Sequence, residues 1–391
     1  MSRSGHHTTR RDRVLLVFGT RPEAIKLAPV IEALRGRVDV RVCVTAQHRT
    51  MLDQVLSVFR IRPDIDLGLM KPDQDLYELT AAVVVALRSV MEAERPRLVI
   101  VQGDTTTTFA ASLAAFYAQV EVAHVEAGLR TYDKRRPFPE EINRRLTSVI
   151  ADWHFAPTAW AEANLLHEGI LSERIFVTGN TGVDALMGVV RRLGTGELDA
   201  GLPDRVKQTL AGRKVVLVTG HRRESFGAGF ERICRALREL VEREPEVVVV
   251  YPVHLNPRVR EPVFRWLGNH TQILLLEPLE YVPFVALMQR ADIILTDSGG
   301  IQEEAPSLKR PVLVMRERTE RPEGVEAGVA RLVGTDPQRI VGAVRELLHD
   351  PSAYEAMTAR QNPYGDGCAA RRIASIVEQI VSGTSTPSLK E

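Results

Sequence analysis

Between residues 124 and 144 the chain reads HVEAGLRTYDKRRPFPEEINR, a run of carboxylates and cations directly behind an apolar segment. Glu126, Asp133, Glu140 and Glu141 stand among arginines and a lysine, and Pro137 and Pro139 break the run before a helix starts. A second stretch, GDTTTT (103–108), places Asp104 behind the apolar LVIVQ. A carboxylate at the end of a buried strand is placed to take or give a proton. Asp104 is therefore a candidate for acid–base work, and Glu126 and Glu140 add further carboxylates. Asp104 serves equally well as a helix cap, and the charged run equally well as a solvated loop.

Other stretches favour anions. DSGGIQEE (297–304) sets Ser298, Gly299 and Gly300 before a helix, where backbone N–H groups approach a phosphate closely. An ordinary capped turn would read the same. GTRPEAIK (19–26) puts Arg21 and Lys26 behind a strand, and GHRRE (220–224) puts His221, Arg222 and Arg223 in the equivalent place further on. YPVHLNP (251–257) offers His254, and RERTERPE (316–323) clusters Arg316, Arg318 and Arg321, which suit bidentate phosphate contacts. No Walker lysine pattern and no G-x-G-x-x-G follows a strand, which counts against P-loop and standard dinucleotide sites. No His/Cys/Asp/Glu spacing suggests a metal.

The elements that must carry these residues alternate. VLLVF (14–18), VRVCVT (40–45), LVIVQ (98–102) and VAHV (122–125) read as buried strands, with helices expected after residue 22, near 50–59, near 75–94 and from 107. Such alternation predicts a parallel sheet covered by helices. The pattern then repeats: VVLVTGHRRE (215–224) mirrors VLLVFGTRPE (14–23), and IILTDSGG (293–300) echoes VIVQGDTT (99–106). The reading is an α/β protein of two Rossmann-like, doubly wound domains facing across a cleft. The first spans 13–193, a linker 194–201, and the second 202–368. A helix from 369 returns toward the first domain, and residues 1–12 form a disordered tail. Ligands of such sheets bind at the carboxyl ends of the strands, where all these motifs lie.

Composition narrows the classes. A formal net charge of +1 gives no global attraction for nucleic acid or anionic membrane. No segment is long and apolar enough to span a bilayer, and Cys43, Cys234 and Cys368 are sparse and unpatterned, as in a reducing cytoplasm. Residues alone thus point to an enzyme acting on a phosphorylated or nucleotide-activated compound.

The ordered set VFGTRPEAIKLAPVI, TAQHRTMLDQVL, GDTTTTFAASLAAFY, HVEAGLRT, PFPEEINR, TGNTGVDAL, VTGHRRESFG, YPVHLNPRVREPV, DSGGIQEEAPSL and ERPEGVEAG resembles the bacterial non-hydrolysing UDP-N-acetylglucosamine 2-epimerases over about residues 14–380. The resemblance implies the glycosyltransferase-B architecture and an isomerase that interconverts UDP-N-acetylglucosamine and UDP-N-acetylmannosamine for cell-surface polysaccharide precursors. UDP would leave, a carboxylate would take the C2 proton to give 2-acetamidoglucal, and both would return, without NAD or another cofactor. Asp104, Glu126, Glu140 and His221 match the family's catalytic positions. Arg21, Lys26, Phe284, Ser298, Gly299, Gly300, Glu304 and Arg321 match its UDP site. Gln47, His48, Arg222, Arg223 and His254 match an activator site for a second UDP-N-acetylglucosamine. A cytoplasmic homodimer is implied too. Tyr132 to Pro137 departs from the family's usual loop by adding Lys134, Arg135 and Arg136. A glycosyltransferase of the same fold, a hydrolysing epimerase and a silent nucleotide-sugar sensor are the rival readings. The intact carboxylate set opposes the first and third, and only water exclusion separates the second.

Overall fold

The computed structural model describes residues 12–45, 49–69, 71, 74–383 and 387, with the backbone alone for 49–51. Gln47, His48 and all of the expected N-terminal tail except Asp12 lie outside the described residues. The chain divides into two compact units, one taking the chain up to Ala185 and again from Gly365, the other Leu186–Tyr364.

In the first unit, seven described strands form a parallel sheet in the order β3-β2-β1-β4-β5-β6-β7. These are β1 (Arg13–Phe18), β2 (Asp39–Val44), β3 (Ile65–Asp66), β4 (Leu98–Gln102), β5 (Glu121–Val125), β6 (Trp153–Ala156) and β7 (Ile175–Val177). Strands β1 and β4 are buried along their whole length, which is why they read as unbroken apolar runs. Helices Leu76–Glu94 and Thr106–Tyr117 supply Val83, Leu87, Ala111 and Ala115 to the core over Leu15, Val17, Val99 and Val101.

In the second unit, six described strands run parallel in the order β10-β9-β8-β11-β12-β13. These are β8 (Lys214–Thr219), β9 (Val247–Pro252), β10 (Ile273–Leu276), β11 (Ile293–Thr296), β12 (Val312–Val314) and β13 (Ala330–Leu332). Helix Ala228–Arg243 lays Phe230, Ile233, Leu237 and Leu240 on Val216, Val218, Val249 and Leu295. In both sheets the strand order reverses beside the first strand, between β1 and β4 and between β8 and β11. Right-handed crossovers then send helices to opposite faces and leave a crevice at each reversal. The repeated sequence motifs are the loops that flank those two crevices.

The boundary differs from the expected linker at 194–201. It falls at Ala185/Leu186, inside the helix Thr181–Gly194. The reason is local packing: Val183 and Ala185 are buried, and Asp184 accepts N–H bonds from Ala369 (3.2 Å) and Ala370 (2.9 Å). That cap starts the helix Ala369–Val381, which packs against the helix Arg21–Leu34 within the first unit. Among the described residues no helix is long and apolar enough to cross a membrane.

Candidate active site

Strand β1 ends at Phe18, and Gly19 turns the chain so tightly that an added Cβ would lie 2.1 Å from Thr45 Oγ1. Thr20 caps the helix Arg21–Leu34 in a capping box with Glu23. Glu23 does more than cap. It is 1% exposed, and its Oε2 accepts from Gly19 N (3.0 Å) and Thr20 N (2.7 Å). Its Oε1 accepts from Thr105 Oγ1 (2.6 Å) and Thr108 Oγ1 (3.1 Å). One buried carboxylate thus ties the β1 loop to the β4 loop. Burial raises its pKa, against the lowering effect of these donors.

The β4 loop carries Asp104, whose Oδ2 accepts from Arg144 Nη2 at 2.6 Å. Asn143 Nδ2 holds the Asp104 carbonyl at 3.0 Å. Both partners lie on the helix Glu140–Ile150. Arg144 follows Glu140 by four residues, so the two share one helix face. Glu140 Oε2 is buried and has no hydrogen-bond partner among the described residues. The neighbouring Glu141 is fully buried and accepts from Thr131 N (3.1 Å) and Tyr132 N (3.0 Å), which fixes the loop before the helix.

Glu126 follows β5 with φ +66°, a left-handed conformation rare for a residue with a side chain. Such backbone costs on the order of 1–3 kcal/mol and gathers at functional sites. Its carboxylate accepts from Lys26 and Gln102, and more loosely from Asn180 Nδ2 at 3.4 Å. Glu126 Oε2 would lie 3.6 Å from a Cβ added at Gly103, the residue before Asp104. Asp104, Glu126 and Glu140 therefore come from three elements but gather at one edge of the sheet.

In the second unit β8 ends before Gly220 and His221. Fully buried Asp297, behind β11, accepts with Oδ2 from His221 N and Arg222 N, both at 2.8 Å. His221 Nδ1 lies 3.3 Å from Asp297 Oδ1, close enough for attraction but not aligned as a hydrogen bond. The ring stacks on His254, with centroids 5.6 Å apart. Burial, with Arg222 and His254 nearby, lowers the His221 pKa despite Asp297. A neutral ring at this place can exchange a proton or donate to an anion.

Ser298 and Gly299 sit at the head of the short helix Gly299–Glu304. A Cβ on Gly299 would lie 3.4 Å from the Arg321 guanidinium and 3.6 Å from Arg222 Nη2, whereas one on Gly300 would meet nothing within 4 Å. With six residues the helix has little dipole, so these guanidinium groups carry most of the attraction for an anion. They are held in advance by carboxylates. Arg222 donates to Glu320 Oε1 (3.0 Å), Arg316 to Glu320 and to Glu224 Oε1 (2.6 Å), and Arg321 to Glu303 Oε1 (2.5 Å). Burial alone would raise the Glu320 pKa, but Arg321, Arg222 and Arg316 outweigh it and bring it to about 2. Phe284 is half buried on the helix Tyr281–Arg290 after β10, and Glu304 is half buried behind Glu303. Exposed His254 follows β9, and exposed Arg223 lies one residue beyond Arg222.

Most residues singled out from sequence thus sit at the carboxyl edges of their sheets. Lys26, which the resemblance implies for the phosphates, pairs with Glu126 at the end of β5. Sequence reasoning gave no role to Glu23, Gln102, Arg144, Glu303 or Glu320. Arg144 carried a signal in its four-residue spacing from Glu140, and Glu23 in its capping-box spacing from Thr20.

Comparison with known proteins gives the family. A family model described as UDP-N-acetylglucosamine 2-epimerase matches residues 32–378. The UDP-N-acetylglucosamine 2-epimerase of Escherichia coli (strain K12) is 55% identical over 364 residues, 92% of this chain and 97% of that one. The Yersinia pestis protein of that name is 57% identical over the same length, with the same coverage. A crystal structure of the UDP-GlcNAc 2-epimerase from Neisseria meningitidis bound to UDP-GlcNAc has a TM-score of 0.85 at 50% identity, covering 95% of this chain and 100% of that one. The Methanocaldococcus jannaschii UDP-GlcNAc 2-epimerase in complex with UDP-GlcNAc and UDP reaches a TM-score of 0.76 at 34% identity, with 93% of this chain and 99% of that one covered. This chain belongs to the UDP-N-acetylglucosamine 2-epimerase family.

Proposed function

We propose that the protein interconverts UDP-N-acetylglucosamine and UDP-N-acetylmannosamine without hydrolysing them. The carrying observation is the gathering of Asp104, Glu126 and Glu140 at one sheet edge, with Glu126 accepting from Lys26 on one oxygen and from Gln102 on the other. The C2 hydrogen of the sugar is not acidic, since no carbonyl adjoins it. The C1–O bond therefore breaks first, and its electron pair leaves with UDP. Positive charge develops at C1 and the ring oxygen, which acidifies the C2 hydrogen. A carboxylate takes that proton, and the C2–H electrons form the C1–C2 double bond of 2-acetamidoglucal. Reprotonation on the opposite face and return of UDP complete the epimerisation. Two faces call for more than one acid–base group, which the carboxylate set supplies.

In this reading the second unit holds UDP. Ser298, Gly299 and Gly300 with Arg321 receive the diphosphate. Neutral His221 assists the leaving oxygen, Glu304 takes the ribose hydroxyls, and Phe284 borders the uracil. Groups fixed before the reaction stabilise developing charge most effectively. Lys26 acts on Glu126 rather than on phosphate. Arg222, Arg223 and His254 serve a second, activating UDP-N-acetylglucosamine, and the enzyme works as a cytoplasmic homodimer.

Proton NMR with UDP-N-acetylglucosamine in deuterated water tests the reaction. Deuterium should enter C2 as UDP-N-acetylmannosamine appears, with no free sugar. Free N-acetylmannosamine with UDP would make the enzyme hydrolytic, and no exchange would reject the epimerase reading.

A further inference from the structure

Two buried polar side chains stand behind Asp104 and Glu126 with no part in the chemistry above. Gln102 ends β4, two residues before Asp104, and His124 lies in β5, two residues before Glu126. They are 2% and 0% exposed, on adjacent parallel strands where Val101 pairs with His124 and Gln102 with Val125. Each serves the neighbouring strand rather than its own. Gln102 Nε2 donates to Glu126 Oε2. His124 Nε2 lies 2.7 Å from the Gly103 carbonyl, which can only accept, so the ring nitrogen donates. Gly103 turns the chain into Asp104 at φ +75°.

We propose that Gln102 and His124 form a reciprocal brace that fixes the spacing of Asp104 and Glu126, making both of them positioning residues for proton transfer at C2. The inference rests on the epimerase reading. Buried polar groups in a sheet core are costly unless they are bonded, and an apolar residue would pack more cheaply at either place. His124 Nδ1 is buried with no hydrogen-bond partner among the described residues, so the bond to Gly103 is what the ring contributes. Burial pushes the His124 pKa down to about 3 against that bond, so the ring stays neutral and its donor constant across the working range. Proton transfer is steep in distance, and a displacement of about 1 Å costs on the order of 10²-fold.

The test measures kcat, KM, C2 deuterium exchange and thermal melting on the full chain with UDP-N-acetylglucosamine. Gln102→Met and His124→Phe should lose roughly 10- to 100-fold in kcat and in exchange, with KM within about threefold and little change in melting. His124→Gln, whose amide nitrogen reaches the place of Nε2, should recover most of that loss. In Gln102→Glu the new carboxyl donates to Glu126 when protonated and repels it when ionised, with Lys26 paired to the other oxygen of Glu126. Its kcat should rise on acidification relative to wild type. Wild-type exchange alongside wild-type-like Gln102→Met and His124→Phe would overturn the brace alone. So would losses confined to KM, or losses that follow melting with neither the His124→Gln recovery nor the acid gain. Absence of exchange in the wild type would instead reject the epimerase reading. Should the Met and Phe variants fail to fold, the Gln and Glu variants decide.

Discussion

The crevice loops of the two units are built from the same Gly-x-Arg-x-Glu motif, yet they use their carboxylates in opposite ways. In the first unit the motif glutamate, Glu23, is buried and binds the N–H groups of Gly19 and Thr20, while Asp104 reaches outward to Arg144. In the second unit the strand-end aspartate, Asp297, is buried and binds the N–H groups of His221 and Arg222, while the motif glutamate, Glu224, is half exposed beside Arg316. Each loop needs one buried acceptor for its orphan N–H groups. Whichever carboxylate fills that place is withdrawn from chemistry. The first unit is left with outward carboxylates fit for proton transfer, and the second with arginines and a neutral histidine fit for an anion.

The most severe way to break the contrast is at the chemistry. Glu126→Gln should lower C2 deuterium exchange by about 10²- to 10⁴-fold, the usual worth of a positioned acid or base, with UDP affinity by calorimetry nearly unchanged. The contrast in burial comes next. Glu23→Ala strands the backbone N–H groups of Gly19 and Thr20, and should cost about 3 kcal/mol or more in denaturant unfolding. Glu224→Ala, which removes an exposed partner, should stay within about 1 kcal/mol.

The two units should also respond to acid with opposite sign. Glu320 falls from its ordinary 4.5 to about 2 in the fold, so its contribution is complete above about 4.5 and fades as pH drops toward 2. The stability difference between wild type and Glu320→Gln, on the order of 3 kcal/mol at neutral pH, should shrink over that window. Glu23 is raised by burial, so its favourable part is complete below 4.5 and is lost as pH climbs through its folded value. The difference between wild type and Glu23→Gln should therefore move the other way. Equal slopes in a urea series would refute this account.

The smallest effect concerns the anion turn. Gly299→Ala brings a methyl against the Arg321 guanidinium and should weaken UDP about tenfold, or ~1.4 kcal/mol, while Gly300→Ala should bind as wild type does. Calorimetric titration with UDP separates the two.

Much of this was legible in the sequence because fully buried parallel strands leave an unmistakable trace. LVIVQ is β4 to the residue, and VLLVF is β1 short only of Arg13. The repeated motifs located both crevices for the same reason, since a tight strand-to-helix turn constrains residue type. Strand β3, two residues long, has no such trace. Nor does the role of Glu23: in sequence it is a capping-box glutamate, and only the fold brings Thr105 and Thr108 against it. Nor does the pairing of Lys26 with Glu126, two residues 100 apart in the chain, leave a trace in the sequence. The neighbours Glu303 and Glu304 are indistinguishable as letters, and helix rotation alone decides that Glu303 meets Arg321.

The helix Ala369–Val381 belongs to the first unit but is encoded after the whole of the second. During synthesis, then, residues 186–364 leave the ribosome as an unbroken segment while the first unit still lacks its last piece. Until Ile373, Ile376, Val377 and Ile380 arrive to be buried, the helix that carries Glu23 and Lys26 waits with an uncovered apolar flank. The half that carries Asp104, Glu126 and Glu140 is the half that matures last.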